Sequence, residues 1–387
     1  MKIYIEKFNR FAGLLLADFI VSDDFLKFCK SIDQAFNPSD DRTMLYIEGL
    51  RFISGIYPKE GCVYNLPNEL ISEINWVREP KGELEGSDII AFRSKSNIEL
   101  PSFFSNALKR VDWTTAQSSW KGDPCGGSEL FGDINVVVKN VGQGNWNEIY
   151  SNNKCRIIYD LGASIHFSKL EVKKVIQSTN AFFDRPSLII SHWDVDHYKA
   201  IFQIEDTLLK QLCCVFCPSK LPNLTSKRAF KILQNSCWCI NAISPSNLRI
   251  VKRRVSLELM IRNSNFSLFR GEKSSDRNKS GLSIAIWSKK EAVIMAGDHY
   301  YSQIFDDIYK SIPVGMKLNI VTPHHGGEAG KLDSYVGRIP RVNKAVTSTG
   351  KNSYGHPREK NRKTLAKMGF TYFRTDYAGK DIVIPLS

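Results

Sequence analysis

Between Ser187 and His197 an apolar run, Leu188-Ile189-Ile190, stops at once in Ser191-His192-Trp193-Asp194-Val195-Asp196-His197, which places four ligand-type side chains within six residues. Imidazoles and carboxylates crowded at the end of a buried strand repel or stay poorly solvated unless a divalent cation turns the crowding into coordination. A divalent ion held there can act as a Lewis acid and lower the pKa of a bound water. A solvent-facing loop of the same composition is the plain alternative, and a chain with only seven histidines argues against it.

The pattern recurs along the chain. Arg156-Ile157-Ile158-Tyr159 ends in Asp160-Leu161-Gly162, Ala292-Val293-Ile294-Met295 ends in Ala296-Gly297-Asp298, and Leu318-Asn319-Ile320-Val321 ends in Pro323-His324-His325-Gly326. Each is a short β-rich run closed by a ligand-type residue and a glycine, which permits a tight turn. Several strands are therefore expected to deliver ligands to one edge.

Asp160, His192-x-Asp194-x-Asp196-His197, Asp298 and His324-His325, in this order, resemble the metal-binding motifs of the metallo-β-lactamase superfamily. Within it the chain is similar to the soluble hydrolase domain of the ComEC competence family. The residues that carry this likeness are Val141-Gly142-Gln143-Gly144, Asp160-Leu161-Gly162, Pro323-His324-His325-Gly326 and Asn352-Ser353-Tyr354-Gly355-His356-Pro357. The resemblance covers residues 131–387. It departs at Asn140 and Asn145, where acidic residues are usual, at Gly327, where serine is common, and at Lys199 and Ala200, where small glycines are usual. The ligand frame is thus retained while the residues expected to touch substrate differ.

The resemblance implies an α+β chain, an αββα metallo-β-lactamase-like sandwich with an N-terminal mixed α/β extension or domain. It implies two divalent ions, zinc or manganese. His192 and Asp194 would hold one, Asp196, His197 and one of His324 and His325 the other, with Asp298 bridging. Aspartate at the third position of the motif, where many relatives carry histidine, makes the first position richer in oxygen and favours manganese beside zinc. No histidine stands between His197 and His299, where the third family motif falls. The first ion would then have fewer protein ligands, use Asn278 or water, or bind weakly. His299, next to Asp298, would point to the opposite face of a strand and is expected to be structural. Asp196 and His356 are the candidate catalytic residues, His356 protonating a leaving oxygen or binding a phosphate oxygen. Asp160, Gln143, Asn145, Asn278, Lys351 and Tyr354 are expected to support the ligands or meet the substrate.

The elements that must position these residues lie after about residue 125. The breaker-rich stretch 121–128 separates a region 1–125 of unassigned role, with a helix over 24–36, from a hydrolase domain 126–387. In the latter, helices are expected over 168–177, 198–212, 226–235, 301–312 and 357–368, and strands over 213–217, 238–243 and 381–385. The formal charge of +13 is uneven. Residues 1–130 hold 15 Lys+Arg against 19 Asp+Glu, and residues 131–387 hold 38 against 21. A basic catalytic part favours a polyanionic partner, DNA or RNA, because phosphate neutralisation is the sequence-independent source of such affinity. The excess concentrates at Arg249, Lys252, Arg253, Arg254, Arg262, Arg270, Lys273, Arg277 and Lys279, and again at Arg338, Arg341, Lys344, Lys351, Arg358, Lys360, Arg362 and Lys363.

The apolar stretch 11–21 is interrupted by Asp18 and falls short of the roughly 20 residues that span a bilayer. It also lacks a signal-peptide layout, so a cytoplasmic protein without a membrane partner is expected. Nine scattered cysteines do not form a secreted disulfide framework. Cys213, Cys214, Cys217, Cys237 and Cys239 are expected as buried thiols, with a structural zinc site as the alternative. The reading is a metal-dependent phosphodiesterase or nuclease. A small-substrate metallo-hydrolase (cyclic nucleotide, lactone or thioester) and a non-catalytic metal-bound subunit stay open, as does a protein partner through residues 1–125.

Overall fold

The strand Ile134–Val138 buries Ile134, Val136 and Val138 and half-exposes Asn135 and Val137, the period of two of a sheet packed on one face. It pairs antiparallel with Asn147–Ser151 and with the C-terminal strand Ile382–Leu386. The protein's computed structural model describes residues 1–32, 43–52, 57–66, 71, 76–77, 90–94, 98–100, 107–108, 113–120, 130–245, 255–272, 274, 276–352 and 354–386. Among these, eight strands form one sheet in the order Ser119–Trp120, Cys239–Ile243, Val215–Pro218, Ser187–Ile189, Lys154–Tyr159, Asn147–Ser151, Ile134–Val138, Ile382–Leu386. A second sheet runs Leu257–Arg262, Phe266–Gly271, Leu282–Trp287, Glu291–Met295, Lys317–Val321, Val342–Thr347, Thr371–Arg374.

The two sheets face each other across an apolar layer that includes Val136, Ile149, Ile157, Ile284, Val293 and Val346. Helices Lys169–Gln177 and Leu224–Ser236 cover the outer side of the first. Helix Glu359–Lys367 and helical turns over residues 301–311 cover the second. This is the expected αββα sandwich. Lys154–Tyr159, Ser187–Ile189 and Val215–Pro218 run parallel, as do Glu291–Met295, Lys317–Val321 and Val342–Thr347. Parallel neighbours place their carboxyl ends on one side, where ligand-bearing loops gather.

Three expectations change in detail. Residues 198–212 form no single helix: Val195–Tyr198, Lys199–Phe202 and Asp206–Leu209 are separate turns, broken where Tyr198 (φ −141°) and Glu205 (ψ 143°) leave helical geometry. The helix expected over 24–36 spans Ser22–Ser31, and residues 33–36 lie outside the described ones. Cys214 and Cys239 are joined as a disulfide, because Val215 pairs with Ile240 in parallel register and the residues just before them face each other. Cys217 and Cys237 are buried free thiols, and no cysteine joins a cluster of metal-ligand atoms among the described residues.

The N-terminal residues build a third sheet, in the order Val63–Asn65, Lys2–Asn9, Leu14–Phe19, Met44–Ile47, Ile90–Ser94, Trp76–Val77. Leu14–Phe19 is buried at every position, as a strand covered on both faces must be. Leu15, Ala17 and Phe19 pack with Phe25 and Phe28 of helix Ser22–Ser31. On the other face Leu14, Leu16, Met44 and Tyr46 join the same apolar cluster as Trp193, Tyr198 and Phe230 of the sandwich. The boundary expected near residue 125 falls in 121–129, outside the described residues. Before it, Ser119–Trp120 already pairs with Cys239–Ile243 of the first sheet, and Thr114–Thr115 pairs with Lys220–Leu221 in a separate two-stranded sheet. No helix among the described residues is long and apolar enough to cross a membrane.

Candidate metal centre

Asp160 follows its strand in left-handed conformation (φ 63°), which folds its carboxylate back under the His192 to His197 loop. Oδ1 accepts the Ser191 backbone N–H at 2.6 Å. Oδ2 accepts from Ser191 Oγ at 2.7 Å, Asn145 Nδ2 at 2.7 Å and His197 Nδ1 at 2.8 Å. A Cβ on Gly162 would stand 1.8 Å from the Asp196 carbonyl oxygen, so the Asp-Leu-Gly turn needs glycine where it crosses the ligand loop. Asn145 also donates its backbone N–H to Asp196 O at 2.9 Å. It braces the ligand loop, and its neutral amide can donate to Asp160 where a second carboxylate would repel it.

These acceptors decide which imidazole nitrogen is free. His197 Nδ1 donates to Asp160, and His325 Nδ1 donates to the Ser348 carbonyl at 3.0 Å. His192 Nδ1 lies 3.0 Å from Ser191 Oγ, whose own proton goes to Asp160. In all three the Nε2 lone pair is presented inward, the usual preparation of a metal-binding histidine. His197 Nε2 lies 3.1 Å from Asp298 Oδ1 and 3.9 Å from Asp196 Oδ1, and His325 Nε2 lies 3.2 Å from Asp196 Oδ2. Asp196, His197 and His325 offer ligand atoms within 4.8 Å of one another, and so do His192, His197 and Asp298. Asp194 Oδ2 and Asp298 Oδ2 lie 3.5 and 3.6 Å from His192 Nε2.

The residues fit a divalent ion. Nε2 of His192, His197 and His325, Oδ1 of Asp196 and Asp298, and Oδ2 of Asp194 are all buried without a hydrogen-bond partner. Leaving so many polar atoms unpaired in a dry site is costly, and one ion satisfies several at once. His324 and His325 both sit in left-handed conformation (φ 51° and 50°), a strain of about 1–2 kcal/mol per residue that concentrates at functional sites. The twist sends the two rings to different partners. His325 faces Asp196, while His324 Nε2 meets Glu60 Oε2 at 3.0 Å and Asp298 at 3.6 Å. Burial alone would lower His324, but Asp298 and Glu60 raise it to about 9.

Glu60 belongs to the N-terminal region, and it does not come alone. Tyr4 OH donates to Asp194 Oδ1 at 2.7 Å, and Glu6 Oε2 accepts the Val195 backbone N–H at 3.0 Å while Oε1 accepts from Asn223. The Lys7 ammonium, 1% exposed, stands 3.3 Å from Asp196 Oδ2, 3.4 Å from Asp298 Oδ2 and 3.8 Å from Asp194 Oδ2. Burial would push Lys7 down, but Asp196, Asp298 and Asp194 hold it well above the ordinary lysine value. Its direction comes from a β-bulge: Ile5 pairs with Ala17 and Lys7 with Leu16, which leaves Glu6 unpaired and turns Lys7 to the same side as Tyr4. None of Tyr4, Glu6, Lys7 and Glu60 was expected from the sequence. Strict alternation through Ile3 and Ile5 places Lys7 on the opposite face, and nothing in the residue types announces the bulge.

His356 lies outside this shell. Its ring centroid is 5.0 Å from that of His324, and its Nδ1 is 3.4 Å from Gln143 Nε2. Burial first, then His324 and Lys7, hold it well below the ordinary histidine value. A Cβ on Gly327 would stand 2.4 Å from His356 Cε1, which accounts for glycine where serine is common. Asn352 shapes the loop, accepting from the backbone N–H groups of Tyr354 and His356 at 3.1 Å. Tyr354 is buried and Lys351 exposed. Asn278 is buried, its backbone N–H bonded to Asp276 Oδ1. Burial pushes His299 down to about 4, its Nδ1 lying 2.6 Å from the Ala296 carbonyl. Of the first basic stretch Arg270 is fully buried, held between the sheets' edges on the Ile243 carbonyl, so it adds nothing to a basic surface. Arg249, Lys252, Arg253, Arg254 and Lys273, with the Arg277 side chain, lie outside the described residues. In the second stretch Arg338, Arg341, Lys351, Arg358, Lys360 and Lys363 are exposed.

No protein-family model and no curated protein matches the chain. Among solved structures it is similar to Tm1679, a metal-dependent hydrolase of the beta-lactamase superfamily, at 13% identity over 64% of this chain and 98% of that one, with a TM-score of 0.38. It is similar to the metallo-beta-lactamase fold protein YhfI from Bacillus subtilis at 12% identity over 65% and 100%, TM-score 0.38. Human tRNase Z, short form, is 10% identical over 65% and 99%, TM-score 0.37.

Proposed function

We propose that the chain is a metal-dependent hydrolase that cleaves phosphodiester bonds in DNA or RNA. The observation that supports this most directly is the convergence of buried, unpaired ligand atoms from Asp196, His197, His325 and Asp298 at the carboxyl ends of both sheets. Zinc or manganese suits this mixed nitrogen and oxygen set. When bound, such an ion supplies Lewis-acid polarisation and activates water for attack.

The chain's own residues do the rest. Asp160 fixes His197 and the Ser348 carbonyl fixes His325, so that both Nε2 atoms would be available to hold an ion. His356, with Gln143 Nε2 donating towards its Nδ1, carries its proton on Nε2, from which it binds a phosphate oxygen or helps the leaving oxygen depart. The exposed Lys351, Arg358 and Lys363 beside that loop, and the excess of 38 Lys+Arg over 21 Asp+Glu in residues 131–387, suit a polyanion. Likeness of the motifs to the soluble hydrolase domain of the ComEC competence family agrees with a nucleic-acid substrate.

A non-catalytic metal-bound subunit is the second reading, favoured by the Lys7 ammonium inside the carboxylate cluster. The deciding experiment is elemental analysis of purified protein with a nuclease assay across zinc, manganese and magnesium. Cleavage that weakens as salt rises, at a slope of roughly −0.7 per contacted phosphate for single strands, agrees with the proposal. Turnover of a chromogenic small diester without oligonucleotide binding points instead to a small substrate. Absence of turnover with every metal leaves the second reading.

A further inference from the structure

The motifs imply two ions, whereas the geometry points to one: we infer that the Lys7 ammonium stands where the first of two divalent ions would. The N-terminal sheet then completes the centre, and a single ion binds on Asp196, His197, His325 and Asp298. This rests on the metal-dependent reading above.

The Lys7 ammonium lies 3.3, 3.4 and 3.8 Å from Oδ2 of Asp196, Asp298 and Asp194, beside His325 Nε2 at 3.2 Å from Asp196 Oδ2 and His192 Nε2 at 3.5 Å from Asp194 Oδ2. Oδ1 of Asp196 and of Asp298 is turned instead to His197 Nε2 and has no hydrogen-bond partner. His197 can serve only one ion, since its Nδ1 is committed to Asp160. The two groups of ligand atoms, one with His192 and one with His325, therefore compete for the same Nε2.

The sequence also lacks the histidine that would complete the first position, there being none between His197 and His299. A missing ligand and an inserted cation fall at one place. Tyr4 on Asp194 and Glu6 on Val195 lock the strand that carries Lys7 against the ligand loop, so the ammonium is held there by a docked sheet.

The test counts ions without reading turnover. Full-length protein is loaded with excess zinc or manganese, freed of unbound ion and weighed by native mass spectrometry. One ion on the wild type and two on Lys7→Met, which keeps an apolar stem and removes the charge, is the expected result. Lys7→Arg is expected to hold one. Two ions on the wild type, or one on a folded Lys7→Met chain, overturns the inference and leaves the metal-dependent reading standing; no ion on the wild type overturns both. Should Lys7→Met not fold, amine acylation of the wild type decides beside the wild-type count. Lys7 protected while exposed lysines are labelled supports the buried ammonium, and labelling at the rate of exposed lysines overturns it.

Discussion

Asp160→Asn separates the orientation of a ligand from ligation itself. Oδ2 of Asp160 accepts three donors, from Ser191 Oγ, Asn145 and His197, and Oδ1 accepts the Ser191 backbone N–H. An asparagine of the same shape can keep its oxygen at the three-donor position only by turning its NH2 towards the Ser191 N–H, donor against donor. The charge that favours the His197 Nδ1–H is lost in either orientation. Hydrogen bonds to charged groups contribute about 1.5–3 kcal/mol, and loss of an outer partner of a metal ligand typically lowers metal affinity about 10–100-fold. At 1.36 kcal/mol per factor of ten these two scales agree, so a fall of roughly 10–100-fold in zinc affinity is expected. Competition against a chromogenic chelator measures it, with circular dichroism confirming the fold. An affinity within about threefold of wild type in a folded Asp160→Asn protein would show that Asp160 braces the turn without tuning His197.

Two further outcomes follow from the same geometry. His325→Ala removes a ligand atom that faces Asp196 and should abolish tight ion binding, whereas His324→Ala, whose Nε2 is engaged by Glu60, should keep the ion; elemental analysis after dialysis distinguishes them. His356→Ala should leave metal content unchanged and cut turnover by about 100-fold, read as kcat with the metal count held constant, and unaltered turnover would remove His356 from the chemistry.

The gathering of these side chains was legible because ligand-type chemistry is written in residue types. Asp160, His192, Asp194, Asp196, His197, Asp298 and the His324-His325 pair all reach one edge, each at the end of a short apolar run. Which of His324 and His325 faces Asp196 was not legible. It depends on two successive left-handed residues that no propensity favours, and on Glu60, a partner more than 250 residues away in sequence. Asn145 read as a changed substrate contact because it stands where the resemblance leads one to expect an acidic residue, yet its partners are Asp160 and Asp196 across the fold. Cys214 and Cys239 read as core thiols until the parallel register of their strands brought them together. The face of Leu14–Phe19 that meets the sandwich was hidden in plain hydrophobicity, since a run buried on both sides carries no period.

The docked sheet and the ion share one electrostatic account, and this yields a stability difference. In the ion-free wild type the Lys7 ammonium lies 3.8, 3.3 and 3.4 Å from Oδ2 of Asp194, Asp196 and Asp298, so Lys7→Met takes a buried cation away from three buried carboxylates. Breaking a buried ion pair by removing one partner costs about 3–5 kcal/mol, so the ion-free variant should melt well below the ion-free wild type. A bound ion stabilises by RT ln(1 + [L]/Kd), about 2.7 kcal/mol at a hundredfold excess over Kd, for each site that fills. The variant, with the position of the ammonium open to a second ion, gains this twice where the wild type gains it once. Metal should therefore raise the Tm of Lys7→Met by more than that of the wild type and narrow the gap between them. Scanning calorimetry of both proteins at matched metal excess checks the sign. Equal shifts, or a larger shift in the wild type, would mean that Lys7 neutralises the carboxylates without standing in an ion's place.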